Sequence, residues 1–209
     1  KNCTLNEEEI LALLRLQKTP MIGDIVAKKL IAHVGSATDI FKEKKQILQK
    51  INGIGQLTIQ NLFDSSNQHF AELEFKYIKQ NKIKYSYFLD KDYPINLKHC
   101  IDAPILFFQD GTIDFSNDKI ISIVGTRRMT NYGSSFCEKL IDELAAYNPI
   151  IVSGFAYGID ICAHKRAIKN NLQTIAVLAH GLEITYPKAH KKYIHSVNKH
   201  GGFLTEFFH

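Results

Sequence analysis

The sequence predicts the α/β fold class: a Rossmann-like domain with a mainly parallel sheet, preceded by a small all-α domain. Beyond Lys119, short apolar runs alternate strictly with segments of helical periodicity, in units of about 30 residues, as in β-α-β structures. The first eighty residues instead show helical spacing of their apolar positions. Because parallel neighbouring strands need a crossover connection, the alternation after Lys119 favours a parallel sheet.

Residues 1–80 are predicted to form a small domain of the helix-hairpin-helix (SAM-like) type. An acidic first turn at Glu7–Glu9 precedes the first apolar helical segment. The turn Ile51–Gly55 has the apolar-x-Gly-apolar-Gly pattern of helix-hairpin-helix modules, whose amides can hold a DNA phosphate. Many such turns act only as scaffolds, so direct contact of residues 53–56 with DNA is left open.

Residues 81–209 are predicted to form the Rossmann-like domain. The expected strands lie near residues 84–89, 105–108, 120–124, 150–152, 174–178 and 203–205. The expected helices in the alternating part lie near residues 132–146, 159–169 and 191–199. Right-handed crossovers place the carboxyl ends of the parallel strands at one edge of the sheet, where open α/β sheets bind their ligands.

Composition narrows the function classes without naming one. Hydrophobic residues make up 45% and charged residues 22%, as in folded globular proteins, and the formal net charge of +5 permits a polyanionic partner. No segment approaches the roughly 20 apolar residues of a membrane span, and the first residues lack a signal-peptide core, so a cytoplasmic location is expected. Reduced, mostly buried thiols are expected, because no Cys-x-x-Cys pair occurs among Cys3, Cys100, Cys137 and Cys162.

Glycine follows three consecutive strands of the predicted sheet, at the point where each strand passes towards a helix. Gly125 comes after the first of these strands, Gly154 and Gly158 after the second, and Gly181 after the third. Glycine lets the backbone approach a ligand closely, and the amides at helix N-termini attract anions. Arg127 can add a bidentate phosphate contact. The three turns therefore predict a phosphate-binding edge.

Neither common nucleotide fingerprint describes this edge. The sequence contains no Gly-Lys-Ser or Gly-Lys-Thr, and the pair Gly154 and Gly158 does not form Gly-x-Gly-x-x-Gly. Either glycine alone could serve only for close packing of a strand against a helix. Three such turns at one edge favour a ligand-binding role for the edge as a whole.

Four segments match, in order and spacing, the signatures of one protein family. They are IVGTRRMTNYG at residues 123–133, SGFAYGIDICAH at 153–164, TIAVL with the later Gly181 and Tyr-Pro at 174–187, and GGFLTE at 201–206. On these segments the chain resembles the DNA-processing protein A (DprA/Smf) family over roughly residues 85–207. A small helical domain ahead of the Rossmann-like one is also a trait of that family.

The resemblance implies a protein that binds single-stranded DNA and promotes loading of a RecA-type recombinase during natural transformation. It implies no catalysis, no cofactor, no metal and no membrane. Single-stranded DNA and the recombinase would be its partners. Family members continue with a part that finishes the sheet and carries dimer and recombinase surfaces. We therefore expect the Rossmann-like domain to be incomplete at its C-terminal end, and a homodimer to form through that further part.

The resemblance also implies which residues bind DNA. Arg127 would contact a phosphate, with Gly125 and Gly154 shaping the pocket around it. Thr130 stands where the family more often has serine, a change that keeps a hydroxyl. The full set of predicted DNA- and phosphate-binding residues is Gly125, Thr126, Arg127, Thr130, Gly133, Ser153, Gly154, Phe155, Gly158, Lys165 and Lys188.

Some residues of the family segments, and some basic residues near them, have both a structural and a functional interpretation. Asp160 could serve as a helix cap and His164 as a packed core histidine, rather than as functional groups. The basic residues at 165–166 and 188–192 either line the backbone path of a DNA strand or belong to solvated helix faces.

Two further function classes remain as alternatives. The segment Gly201–Glu206 faintly resembles the Gly-Gly-x-Gly-Thr-x-x-Glu site of Rossmann-like nucleotide phosphoribohydrolases. In this chain Glu206 follows Thr205 directly, which places the carboxylate on the wrong face of a strand for that site. A nucleotide-sensing module without a DNA role is the other alternative.

Overall fold

A computed structural model describes residues 5–209, so that Cys3 lies outside the described part. The helices are α1 (Glu7–Lys18), α2 (Asp24–Val34), α3 (Ala37–Lys42), α4 (Lys45–Leu48), α5 (Gln56–Leu62), α6 (Ser65–Asn81), α7 (Ile95–Lys98), α8 (Asn131–Leu144), α9 (Ile159–Lys169) and α10 (Ile194–Lys199). Short 3₁₀ helices cover Ala145–Tyr147 and Lys188–Tyr193. The strands are β1 (Lys84–Tyr87), β2 (Leu106–Gly111), β3 (Ile120–Ser122), β4 (Ile150–Ser153), β5 (Thr174–Val177) and β6 (Gly201–Thr205).

The chain divides into two compact units, the first ending at Leu106 and the second running from Phe107 to His209. The domain boundary placed between residues 80 and 81 from the sequence stays a prediction; α6 ends at Asn81 and β1 begins at Lys84. None of the helices in residues 5–209 is both long enough and apolar enough to span a membrane.

The first unit is built on helix α1, which packs against α3 and α6. Asn6 caps α1 by accepting a hydrogen bond from the Glu9 amide at 2.7 Å. Glu9 is itself buried, and its carboxylate accepts from the amides of Ala37 and Thr38 at 2.7 and 2.9 Å. A carboxylate of α1 thereby satisfies free donors at the start of α3. The predicted turn before α5 is present, with Gly55 as the N-cap residue, and its contact with DNA stays open.

The second unit contains the parallel part of a six-stranded sheet with the order β1-β2-β6-β5-β4-β3. Strands β3, β4, β5 and β6 are parallel, and β2 runs antiparallel to β6. Ile121 lies opposite Ile151, which lies opposite Thr174, and Thr174 lies opposite Gly201. The predicted fold class and the mainly parallel sheet are confirmed. The carboxyl ends of β3, β4 and β5 meet at one edge.

Two apolar clusters hold the helices of this unit against the sheet. One is formed by residues of β4, α8 and α9, among them Cys137, Ile141, Ile151 and Cys162. The other brings Phe155, Ala176, Val197 and Phe203 together. Burial of apolar surface in these clusters sets which faces of the helices pack on the sheet.

Two predicted helices differ from the observed ones at their ends. The helix expected near residues 132–146 ends earlier and continues as the 3₁₀ turn Ala145–Tyr147. The helix expected near 191–199 is preceded by the 3₁₀ helix Lys188–Tyr193 and becomes α-helical only at Ile194. Terminal turns often tighten to 3₁₀ geometry, which apolar periodicity does not distinguish from an α-helix.

Candidate nucleic-acid interface

The loop between β3 and α8 is solvent-exposed throughout residues 124–131. Two of the predicted site residues give this loop its shape. The hydroxyl of Thr126 accepts from the Arg128 amide at 3.1 Å. The hydroxyl of Thr130 accepts from the Gly133 amide at 3.1 Å and caps α8. Both hydroxyls are thus used inside the loop, and they hold the segment that carries Arg127.

The same loop presents several donors without a protein acceptor. Across the described residues, the backbone amides of Gly125, Thr126 and Arg127 donate no hydrogen bond within the protein. The guanidinium groups of Arg127 and Arg128 are exposed, and no carboxylate of residues 5–209 pairs with them. Successive free amides beside unpaired cations are the donors that anions bind, and phosphate binding by this loop stays a prediction.

The second glycine turn packs directly against the back of this loop. Gly158 has φ +81°, and a Cβ at this position would collide with the carbonyl oxygen of Thr126 and the backbone of Arg127. The Ile159 amide at the start of α9 donates to the carbonyl of Thr126 at 3.2 Å. Gly158 therefore supports the position of the Arg127 backbone from behind.

Two other predicted glycines also sit at close contacts. A Cβ at Gly125 would come within 2.6 Å of Cγ1 of Ile159, and one at Gly154 within 2.5 Å of Oδ2 of Asp160. The absence of a side chain at Gly154 therefore allows close packing against Asp160, as the packing interpretation expected. A contact of Gly154 with phosphate stays a prediction. Asp160 is not the N-cap residue of α9, which is Gly158. Its carboxylate instead accepts from the Ala156 amide at 3.3 Å within the turn.

His164 is a packed core histidine, which confirms one of its two interpretations. Its side chain is fully buried, with Nε2 2.7 Å from the carbonyl oxygen of Gly154 and Nδ1 2.7 Å from Oγ1 of Thr174. Burial lowers the pKa of His164, so the imidazole is neutral. Because a carbonyl can only accept, Nε2 carries a proton and donates to Gly154. The Thr174 hydroxyl, which lies beside Nδ1, also contacts the carbonyl oxygen of Ile151 at 3.0 Å. The ring joins α9 to the ends of β4 and β5.

Two predicted site residues turn their side chains inward. Ser153 is buried, and its hydroxyl donates to the carbonyl of Ile123 at 2.6 Å. The Phe155 ring is buried and meets the Phe203 ring at a centroid distance of 5.0 Å. The Ser153 hydroxyl and the Phe155 ring therefore contribute to the packing of the domain. Any phosphate contact predicted for Ser153 and Phe155 would use their backbone.

The neighbouring cations Lys165 and Arg166 differ sharply in their surroundings. Lys165 is exposed and has no ion-pair partner among the described residues. Arg166 forms ion pairs with Asp142 and Glu138 of α8, and its Nε lies 2.6 Å from Oδ1 of Asp142. Hydrogen bonds from Arg166 lower the pKa of Asp142 to about 2. Lys165 stays a candidate phosphate contact, whereas Arg166 clamps α9 to α8.

Lys188 is exposed at the start of its 3₁₀ helix, without an ion-pair partner in the described chain. Two residues later, His190 is buried, and its Nδ1 lies 2.9 Å from the carbonyl oxygen of Phe155. His190 therefore does not line a DNA path, as one interpretation of residues 188–192 had it. Its contact with Phe155 instead fastens the segment that bears Lys188 to the second glycine turn.

The glycines of the phosphoribohydrolase alternative lie inside the sheet. A Cβ at Gly201 would collide with the carbonyl oxygen of Thr174 in β5, and one at Gly202 with that of Asp110 in β2. Strand β6 therefore needs glycine in order to fit between its neighbours. This packing accounts for both residues without a nucleotide pocket.

Metal ligands are not grouped in the described part of the chain. Between residues 5 and 209, no set of three His, Cys, Asp or Glu side chains is arranged to hold an ion. Cys137 and Cys162 are buried free thiols, and Cys100 is an exposed one. Burial raises the pKa of Cys137 to about 12, so this thiol stays protonated.

Sequence reasoning missed two features of this edge. The free amides of residues 125–127 become visible only when the backbone path is known. Tyr157, within the second glycine turn, keeps 48% of its surface exposed and meets the edge of the His190 ring at 5.0 Å. The one sequence signal for this exposure was the position of Tyr157 in a turn between Gly154 and Gly158.

Comparison with known proteins confirms the resemblance predicted from the four segments. Residues 84–209 match the family model described as DNA recombination-mediator protein A. The chain is 41% identical to the DNA processing protein DprA of Streptococcus pneumoniae over 104 residues, which cover 50% of this chain and 36% of that protein. It is 30% identical to the protein Smf of Synechocystis sp. over 193 residues, which cover 89% of this chain and 48% of that protein. The chain thus spans about half the length, or less, of these curated relatives.

Two solved structures have a similar fold. The X-ray structure of DNA processing protein A from Streptococcus pneumoniae gives a TM-score of 0.73 at 27% identity, covering 98% of this chain and 68% of that chain. The structure of DNA processing protein A from Helicobacter pylori, described for its single-stranded DNA binding mode, gives a TM-score of 0.50 at 30% identity. That match covers 59% of this chain and 55% of the other.

Proposed function

Because the chain belongs to the family of DNA recombination-mediator protein A, we propose that it binds single-stranded DNA at the edge formed by its glycine turns. The observation that carries the proposal is the loop at residues 125–128. It offers free backbone amides and two unpaired guanidinium groups at the carboxyl end of a parallel strand. An open α/β sheet binds its ligands at this edge, and phosphate is the group that such donors fit.

The proposed binding is to the sugar-phosphate backbone and does not depend on base sequence. Arg127 and Arg128 supply charge, while the amides of Gly125 and Thr126 supply directed donors. The Helicobacter pylori relative is described by its single-stranded DNA binding mode, which supports the same ligand here. Holding a strand breaks no bond, so the proposal requires neither a catalytic residue nor a cofactor.

We also infer the biological role from the family. As a recombination mediator, the protein would present the bound strand to a RecA-type recombinase during natural transformation, in the cytoplasm, and would act as a homodimer. The family description and the names of the relatives support this role. Recombinase binding and self-association should be tested on a protein of the full length of the relatives, because this chain spans about half of their length or less.

Fluorescence anisotropy of a labelled oligo-dT across a salt series tests the DNA proposal. We expect the logarithm of the affinity of the unmodified chain to fall linearly with the logarithm of the salt concentration, because binding releases cations from the strand and added salt opposes that release. Arg127→Gln should weaken binding and reduce the slope by about 0.7, the amount expected when one phosphate of a single strand is no longer neutralised. Lys139→Gln, on the exposed face of α8, is the control and should leave both unchanged.

Two results would overturn the proposal. One is a chain that does not bind the oligonucleotide even at low salt. The other is binding that responds equally to Arg127→Gln and Lys139→Gln, because the loop would then be no more than a part of the general positive surface. Hydrolysis of a nucleoside monophosphate by the chain would favour the phosphoribohydrolase alternative instead.

A further inference from the structure

A row of basic side chains follows the third glycine turn and is not used by the site at residues 125–128. It consists of Lys188, Lys191, Lys192, His195 and Lys199, here called the basic face. Residues three apart share a side of a 3₁₀ helix, which aligns Lys188 with Lys191, and residues four apart share a side of an α-helix, which aligns His195 with Lys199. All five are exposed. Within the described residues, none of the four lysines has a carboxylate partner.

The sequence around the basic face is free of negative charge. Between Glu183 and Glu206 there is no aspartate or glutamate, while the same segment contains the four lysines of the basic face. A solvated helix face without a ligand usually mixes both signs of charge. A one-sign row of unpaired cations instead creates a local positive field, which attracts a polyanion.

The basic face is anchored to the proposed DNA site by a buried residue. His190 lies between Lys188 and Lys191 in the chain, and its Nδ1 contacts the carbonyl oxygen of Phe155 at 2.9 Å. The His190 ring also packs edge-on against Phe155 and Tyr157, at centroid distances of 5.3 and 5.0 Å. The start of the basic face is therefore held beside the second glycine turn.

Tyr157 stands at the junction of the two surfaces. Its ring is supported on one side by His190 and leaves 48% of its surface exposed. An exposed aromatic ring with a fixed orientation can stack on an unpaired base, and proteins that bind single strands combine such rings with basic grooves. A duplex offers no unpaired base for this contact.

We propose that the basic face is a second contact for single-stranded DNA, which holds the backbone as the strand leaves the glycine turns, and that Tyr157 stacks on a base at the junction. The inference rests on the proposed function and extends it, because it names the path of the strand and the group that selects single strands. It assigns Lys191 and Lys192, whose role the sequence left open, to the strand, and it adds His195, Lys199 and Tyr157.

The first test compares two double variants with equal loss of charge. Lys191→Gln/Lys192→Gln removes two cations from the basic face, and Lys139→Gln/Lys169→Gln removes two exposed cations elsewhere; each lowers the formal net charge from +5 by two. Binding is measured with oligo-dT from about 4 to about 16 nucleotides in length. We expect the first variant to bind only the longer oligonucleotides less tightly, with a slope reduced by about 0.7 for each phosphate that the protein no longer neutralises.

The second test addresses the ring. Tyr157→Ala should weaken binding of single strands by about tenfold or more, as expected when one base stack is removed, while Tyr157→Phe should keep it. Tyr147→Ala is the matched control, because Tyr147 is also an exposed tyrosine of the same unit, 64% exposed. Far-ultraviolet circular dichroism of each variant checks that the fold is kept.

The outcomes separate this inference from the proposed function. Binding that depends on Arg127, but that responds equally to the two double variants at every length, overturns the basic face and leaves the proposed function standing. Tyr157→Ala binding as well as the unmodified chain, or a duplex competing as strongly as a single strand, overturns the stacking role. Failure of the unmodified chain to bind any DNA overturns both proposals.

Discussion

The Nε2 atom of His164 donates a hydrogen bond to the carbonyl oxygen of Gly154 across 2.7 Å. A fully buried side chain of α9 thereby holds the first glycine after β4. On its other side, Nδ1 of the ring lies 2.7 Å from Oγ1 of Thr174. The position of the second glycine turn consequently depends on a histidine that no ligand can reach.

This relationship predicts that the protein loses stability in mild acid. Burial lowers the pKa of His164 from its usual 6.5, and the neighbouring charge of His190 acts in the same direction, while the bond to Gly154 and the charge of Asp160 act against it. The unfolded chain therefore binds a proton near pH 6.5 that the folded chain rejects. The contribution of His164 to the free energy of unfolding should therefore be complete above about pH 6.5, and the free energy of unfolding should fall as the pH drops below that value. Urea unfolding followed by circular dichroism between about pH 8 and about pH 5 measures this.

His164→Asn is the variant that assigns the effect. It should lower the free energy of unfolding near neutral pH by about 1–3 kcal/mol, because Gly154 and Thr174 lose a buried partner. It should also remove up to about 1.4 kcal/mol per pH unit of the acid dependence. His195→Asn, at an exposed position, is the control. An acid dependence that survives unchanged in His164→Asn would contradict the assignment.

A second prediction separates two glycines of the site. Gly158→Ala should cost about 1–3 kcal/mol of stability, because φ +81° is strained for alanine and the added Cβ meets Thr126. It should also weaken DNA binding, since the Arg127 backbone must move. At Gly133, inside α8, the added Cβ would lie 3.5 Å from Oγ1 of Thr130, which is ordinary contact.

Gly133→Ala is consequently the matched control for Gly158→Ala. It should stabilise α8 by up to about 0.5–1 kcal/mol, because alanine loses less backbone entropy than glycine in a helix. A loss of binding without a loss of stability would then report the phosphate contact predicted for Gly133. Thermal unfolding and oligo-dT anisotropy measure both quantities in each variant. Equal effects of the two substitutions would show that the close approach of Gly158 to Thr126 is not needed.

The sequence predicted the sheet and the edge at which its glycine turns meet, because both follow from local signals. Apolar runs followed by glycine located the ends of β3, β4 and β5, and right-handed crossovers placed those ends together. The antiparallel pairing of β2 with β6 was not predicted. That pairing joins segments far apart in the chain, and no local periodicity specifies which strand lies beside which.

Side-chain burial explains where the site prediction stayed open. Arg127 and Phe155 both lie in the matched motifs, yet one is exposed and the other sits in a core cluster. Lys165 and Arg166 are adjacent in sequence, and only the position of Asp142 on another helix shows that Arg166 is paired. A motif gives the residue types of a turn, whereas the partner of each side chain depends on packing between helices.

A third prediction concerns the cap of α8. Thr130→Ala should lower the free energy of unfolding by about 1 kcal/mol, because the Gly133 amide loses its acceptor. It should also weaken DNA binding, since the loop that carries Arg127 is anchored there. Thr130→Ser keeps the hydroxyl and should restore both properties in thermal unfolding and anisotropy. A serine variant as defective as the alanine variant would point to the methyl group of Thr130 instead.

A fourth prediction distinguishes the adjacent cations Lys165 and Arg166. Arg166→Gln should lower the melting temperature, because its ion pairs join α9 to Asp142 and Glu138 of α8. It should leave DNA affinity unchanged, since the guanidinium is already occupied. Lys165→Gln should do the reverse, keeping the melting temperature and reducing the salt slope of binding by up to about 0.7.

The two glutamine variants remove the same charge from neighbouring positions, so each serves as the control for the other. The low pKa of Asp142 adds a signature of the Arg166 contact, because a depressed carboxyl pKa gives stability above the ordinary value of 3.8 that is lost as the pH falls towards about 2. Arg166→Gln should therefore flatten the decline of melting temperature in strong acid, and Lys165→Gln should not. Equal loss of DNA affinity in both variants would mean that the ion pairs of Arg166 open when the strand binds.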